Sequence, residues 1–192
     1  MASLIEPFAG ARAETIATRL LNRFGSLHRA LISPDGGEDP EEDADVLRKM
    51  RAARILVLEA AREEIVRRPV AANDPALHDY LKDLLGSQPH EILHAIFLDS
   101  GHGYIADECI ASGTSSRLIG STRRLVARAF DLGARALILA HNHPSGSALP
   151  SQEDVATTAR IGKLAAELDL TLIDHLVVTQ RQVFSFRAEG LL

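Results

Sequence analysis

Ala136-Leu137-Ile138-Leu139-Ala140 is followed at once by His141-Asn142-His143-Pro144-Ser145-Gly146. Five consecutive apolar residues are the pattern of a central strand covered on both faces. On an extended chain, residues two apart project to the same side, so both imidazoles can reach one ion. The histidines stand where the chain leaves the strand at its carboxyl end, which is where open α/β sheets put their ligands. Downstream, Pro150-Ser151-Gln152-Glu153-Asp154 opens a helix, and Asp154 on its first turn can point back at the histidines. Two imidazoles and one carboxylate leave the fourth tetrahedral position of Zn²⁺ to water, the catalytic rather than the structural arrangement. The plain alternative is a pair of surface histidines beside a helix that Ser151 and Asp154 close with a capping box.

Around this segment, strands and helices alternate. Ile92–Leu98 and Tyr104–Ile110 read as strands joined by the turn Ser100-Gly101-His102-Gly103, a hairpin. Leu118–Leu132 is an amphipathic helix closed by Gly133, a residue suited to a left-handed C-cap. Ser151–Leu168 is a second helix, and Leu170–Val178 and Gln182–Phe186 are two further strands. The pattern predicts an α/β (α+β) domain, a mixed β-sheet flanked by helices, over residues 76–192.

Residues 1–75 read differently. Ile16, Leu20, Leu21, Phe24 and Leu27 give residues 8–32 a helical period, interrupted at Gly25-Ser26. Residues 35–45 carry seven acidic side chains and no basic one, which reads as a solvated linker or loop. Val46–Arg68 is a long helix with seven basic and three acidic residues, ended by Pro69. A short helical piece follows around Ala76–Leu85. The expectation is a small helical module preceding the sheet domain.

Composition narrows the function classes. The 192 residues carry a formal net charge of −5 and are 46% hydrophobic, which excludes a mainly disordered chain. A single cysteine, Cys109, excludes an internal disulfide framework and a four-cysteine zinc cage. It suits a reducing compartment, so the expected location is the cytoplasm. No stretch approaches 18 uninterrupted apolar residues, and no secretory signal is visible. There is no G-x-S-x-G elbow, P-loop or G-x-G-x-x-G.

A second zinc signature competes. His90-Glu91-Ile92-Leu93-His94 spells H-E-x-x-H, which binds zinc only when a helix puts both histidines on one turn. Here the segment follows Pro89 and runs into a strand, where His90 and His94 would stand about 13 Å apart. From this chain's composition the match is expected by chance roughly 0.02 times, against roughly 0.0015 for H-x-H with Ser and Asp at the observed spacing. The zincin match is therefore read as coincidence. Asp174-His175 on an apolar strand is either a site pair or a hydrogen-bonded core histidine.

The run His141-x-His143, seven residues, Ser151-x-x-Asp154 resembles the JAMM (MPN+) metalloprotease pattern. The longer stretches ALILAHNHPSG, PSQED, DHLVV and FRAEGLL resemble the bacterial RadC-like JAB-domain family, over about residues 76–192. LLNRFGSLHRAL, within residues 8–32, resembles the helix-hairpin-helix-like module at the N-terminus of that family. The resemblance implies a JAB/MPN, cytidine-deaminase-like core and one Zn²⁺ per chain on His141, His143 and Asp154. It further implies a water nucleophile, Ser151 as a hydrogen-bond donor to the developing oxyanion, and an upstream glutamate as general base. The family position of that base matches Glu91, with Glu108 as runner-up. The activity so implied is hydrolysis of a peptide or isopeptide bond in an unidentified protein or peptide substrate. The second function class is a DNA-associated repair or recombination accessory protein, binding DNA through the N-terminal module. Charge gives that class little support, since residues 1–74 sum to −2 and 75–192 to −3.

Overall fold

The structure is a computed structural model in which residues 1–33, 41–113 and 122–192 are described. The chain divides into two compact units, residues 1–60 and 61–192.

The first unit is helical. α1 (Ala2–Ala9) passes through a 3₁₀ turn (Gly10–Arg12) into α2 (Ala13–Phe24), and α3 (Leu27–Ile32) follows. The expected break falls at Gly25, a left-handed cap at φ 74°, and Ser26, whose hydroxyl accepts the Arg29 amide. A further break at Gly10 was not legible from the apolar period. Ile5, Ile16, Leu20, Ala30, Val46 and Leu47 form the core of this unit.

Residues 41–45, expected as loop, are the first turns of α4 (Glu41–Val66); residues 34–40 lie outside the described residues. Asp43 is 2% exposed. Arg19 donates to it from Nε at 2.7 Å and from Nη2 at 2.5 Å. Negative charge is favourable at a helix N-terminus, and apolar periodicity does not register an ion pair with a distant arginine.

The second unit carries a five-stranded sheet. α5 (Pro75–Leu85) is capped by Asp74, which accepts the Ala76 amide at 2.9 Å. The strands are β1 (Glu91–Leu98), β2 (Tyr104–Gly113), β3 (Ala136–Asn142), β4 (Thr171–Val178) and β5 (Val183–Ser185), ordered β2-β1-β3-β4-β5. β3 and β4 are parallel and the other pairs antiparallel. The helix expected over 118–132 is α6 (Thr122–Asp131), residues 118–121 lying outside the described set. Gly133 follows it at φ 64°, the left-handed conformation its position predicts. α7 (Gln152–Glu167) connects β3 to β4. Every residue of β3 is buried, as a strand covered on both faces requires.

On one face Leu93, Ala95, Phe97, Leu137, Leu139 and Leu172 pack with Leu125 and Ala129 of α6 and Ile161 and Ala165 of α7. The other face is covered by α5, whose Tyr80 donates to Asp107 of β2 at 2.8 Å. His94 alternates onto that second face, with Nε2 2.5 Å from Asp107 Oδ2. Tyr104 also donates to this carboxylate. Burial alone would raise the Asp107 carboxyl, but the bonds from His94, Tyr104 and Tyr80 outweigh it and hold it at about 2. A carboxylate depressed in the fold contributes stability above its unfolded pKa and loses it as pH falls through the folded value. Asp107 therefore supports the fold above pH of about 4, by roughly 2 kcal/mol, and the support fades toward pH 2. Denaturant unfolding of Asp107→Asn should show reduced stability at neutral pH and a shallower decline than wild type between pH of about 4 and 2; parallel curves would contradict this.

Candidate metal centre

His141 and His143 lie at the carboxyl end of β3 and just beyond it, and the loop that follows aims the second ring. The Gly146 amide donates to the His143 carbonyl at 3.0 Å, with Gly146 at φ 82°. That turn brings the Ser147 carbonyl within 3.0 Å of His143 Nδ1. A carbonyl only accepts, so His143 carries a proton on Nδ1, and in the neutral imidazole Nε2 is then the bare nitrogen. This nitrogen stands 3.0 Å from Nε2 of His141.

Asp154 completes the group from the first turn of α7. Ser151 caps the helix, its hydroxyl accepting the Asp154 amide at 3.1 Å. The Asp154 carboxylate in turn accepts the Ser151 amide at 2.7 Å and the Ser151 hydroxyl at 2.6 Å. This capping box leaves one carboxylate oxygen 3.4 Å from His141 Nε2 and the other 3.3 Å from His143 Nε2. Burial pushes the Asp154 carboxyl up, but hydrogen bonds from His141 and Ser151 outweigh it and hold it far below the usual range. Donor atoms of His141, His143 and Asp154 all lie within 4.8 Å of one another. Two imidazole nitrogens and an ionised carboxylate converging on one point form an N₂O donor set that could hold a divalent cation.

His141, 1% exposed, has its other nitrogen 2.8 Å from Nε2 of His175 on β4. His175 Nδ1 is 2.5 Å from the Thr158 hydroxyl of α7. Of the two readings of Asp174-His175, the hydrogen-bonded core histidine holds, and its partner is a residue of the cluster. Burial keeps the His175 imidazole well below its ordinary range, so it is neutral. The Asp174 carboxylate accepts the His175 amide at 2.7 Å, the Ser185 hydroxyl at 2.5 Å and the Arg187 amide at 3.0 Å.

The two glutamates differ in setting. Glu91 is the half-buried first residue of β1. Leu93 opposes His141 across the antiparallel β1–β3 ladder, so Glu91 lies on the face of His141 and toward the same end. Glu108 opposes Ala95, further along the ladder, and its carboxylate is engaged by the Arg128 guanidinium, with Nε 2.9 Å from Oε2. The H-E-x-x-H segment is no helix: His94 faces the opposite side of the sheet, engaged with Asp107.

Asn142, between the two histidines, points to the other face and ties down the entry to β1. Its Oδ1 accepts the Ile92 amide at 2.8 Å, and its Nδ2 donates to the His90 carbonyl at 3.0 Å and the Gln88 carbonyl at 3.3 Å. The spacing of the histidines puts both imidazoles on one side, but nothing in local sequence says that the intervening residue anchors the segment bearing Glu91.

A family model for the RadC-like JAB domain matches residues 72–191. The chain belongs to the RadC-like JAB domain family. It is similar to a UPF0758 protein of Rhodobacter capsulatus, 40% identical over 179 residues, covering 92% of this chain and 84% of that protein. A UPF0758 protein of Burkholderia thailandensis is 40% identical over 182 residues, covering 91% of this chain and 68% of that protein. One of Polaromonas is 42% identical over 187 residues, covering 95% and 83%. For a relative in Burkholderia mallei the chain spans only 64% of the protein's length. These names state no activity. In this RadC-like JAB domain the cluster sits wholly within the matched residues. Among the described residues no helix is long and apolar enough to cross a membrane.

Asn142 is 1% exposed, and its loss would leave the Ile92 amide without its acceptor. Asn142→Ala should lower the unfolding free energy by about 2–3 kcal/mol and speed hydrogen exchange at the Ile92 amide. Unchanged exchange there would show that the anchoring bond is not made.

Proposed function

We propose that this RadC-like JAB domain is a zinc-dependent hydrolase of peptide or isopeptide bonds, with His141, His143 and Asp154 as the metal ligands. The observation that carries this reading is the convergence of two Nε2 atoms and one carboxylate at the end of β3. Zinc held there would supply Lewis acidity, lowering the pKa of a coordinated water and polarising a substrate carbonyl.

The residues of the chain divide the remaining work. His143 is oriented by the Ser147 carbonyl, and Asp154 by the cap at Ser151. Glu91, on the face of His141, is the general base: its carboxylate accepts a proton from the attacking water and returns it to the leaving amine. Glu108 is the weaker choice, because its carboxylate is engaged by Arg128. Ser151 is exposed, and its hydroxyl can turn from Asp154 toward a developing oxyanion. DNA association through the helical module is the weaker reading. Several basic side chains of α4 are matched within that helix, Arg48 and Lys49 by Asp45 and Arg67 by Glu64.

Purified chain should contain about one zinc per molecule, and His143→Ala should lose it while the sheet persists, because the buried core and not the ion supplies most of the folding energy. A panel of peptide and isopeptide substrates should show turnover that Glu91→Gln abolishes with zinc retained. Protein that takes up no zinc, or turnover unchanged in Glu91→Gln, would contradict the reading. Ser151→Ala separates that residue's two roles. As oxyanion donor its loss costs about 10²–10³ in turnover with zinc kept; as cap alone it costs about 1 kcal/mol of stability and little turnover.

A further inference from the structure

We propose that Thr158 and His175 form a buried hydrogen-bond relay that sets which nitrogen of His141 carries the proton, and so how readily the cluster takes a metal ion. The inference rests on the metal reading above and concerns residues that would not touch the ion. The relay runs from Thr158 Oγ1 to His175 Nδ1 at 2.5 Å, and from His175 Nε2 to His141 Nδ1 at 2.8 Å. Thr158 is 0% exposed, His175 4% and His141 1%, so the protein itself must satisfy each group. The His175 ring is fixed in place, stacked on Phe186 with centroids 5.0 Å apart, and its amide donates to Asp174 Oδ1 at 2.7 Å.

A neutral imidazole has one N–H and one bare nitrogen, so the relay has two directions. In the first, the Thr158 hydroxyl donates to His175 Nδ1 and His175 Nε2–H donates to His141 Nδ1. His141 then carries its proton on Nε2, aimed at His143, and cannot ligate through that atom. In the second, His141 Nδ1–H donates to His175 Nε2, and His175 Nδ1–H donates to the Thr158 oxygen. Both Nε2 atoms of the cluster are then bare. The net charge is the same in both. A hydroxyl is the one group here that can either donate or accept by rotating, so Thr158 is what makes the second direction available. A threonine within a helix can pass its own proton to the carbonyl four residues back.

Thr158→Val keeps the shape and removes the acceptor. Either direction then loses its bond to residue 158, but the second buries an unpaired His175 N–H whereas the first leaves only an unpaired lone pair on Nδ1, so the first is favoured. The test measures zinc affinity of the full chain by chelator competition for wild type, Thr158→Val and Thr158→Ser, with melting of each metal-free protein as the folding control. Histidine ¹⁵N NMR of the zinc-loaded wild type is the second readout. Affinity should fall about 10- to 100-fold in Thr158→Val and return to within a few-fold of wild type in Thr158→Ser. His175 in the zinc-loaded wild type should carry its proton on Nδ1. Wild-type affinity in Thr158→Val, or a proton on His175 Nε2 in the loaded protein, would overturn the relay while leaving the metal site standing. If Thr158→Val fails to fold, the His175 proton position in wild type decides alone. Wild type that takes up no zinc would overturn the metal reading, and the relay with it.

Discussion

At the end of β3 two imidazole nitrogens stand 3.0 Å apart, and the two oxygens of one carboxylate lie within 3.3–3.4 Å of them. Electron-rich atoms held this closely repel one another unless a proton or a cation lies between them, and the neutral His143 ring, whose Nδ1 donates to the Ser147 carbonyl, turns its lone pair on Nε2 toward the others. The fold sustains the arrangement by fixing each member separately. β3 is buried along its whole length, the Gly146 turn orients His143, and the capping box of α7 holds Asp154. The rest of the sheet domain can be read as support for this convergence, from Asn142 anchoring the entry to β1 to His175 behind His141.

Much of this was legible in the sequence because it depends on neighbours along the chain. An all-apolar strand, two histidines two apart, a Ser-x-x-Asp cap and a glycine after a helix are local patterns, and the structure has β3, the cap of α7 and Gly133 where those patterns put them. Pro89 before the H-E-x-x-H match and the apolar run after it mark residues 92–98 as strand, and β1 runs over Glu91–Leu98.

What was not legible depends on partners far away in sequence. The acidic turn at 41–45 has the local composition of a loop, because Arg19, which neutralises buried Asp43, lies outside any local window. Asn142 carries no local signal, yet its amide bridges to residues 88–92. His175 was recognised only as one of two possibilities, because its contacts to Thr158 and His141 require α7 and β3 to be in place. Glu91 and Glu108 could not be ranked by strand parity alone; the β1–β3 register and the engagement of Glu108 by Arg128 distinguish their surroundings.

The proposed zinc site is made of His141, His143 and Asp154. X-ray absorption at the zinc edge of the zinc-loaded full chain tests it most directly, because it counts the ligands and identifies them. Expected is a four-coordinate ion with two imidazole nitrogens at about 2.0–2.1 Å, oxygen donors at about 2.0–2.2 Å and no sulfur. A zinc shell with one imidazole or none, or one containing the thiolate of Cys109, would contradict it.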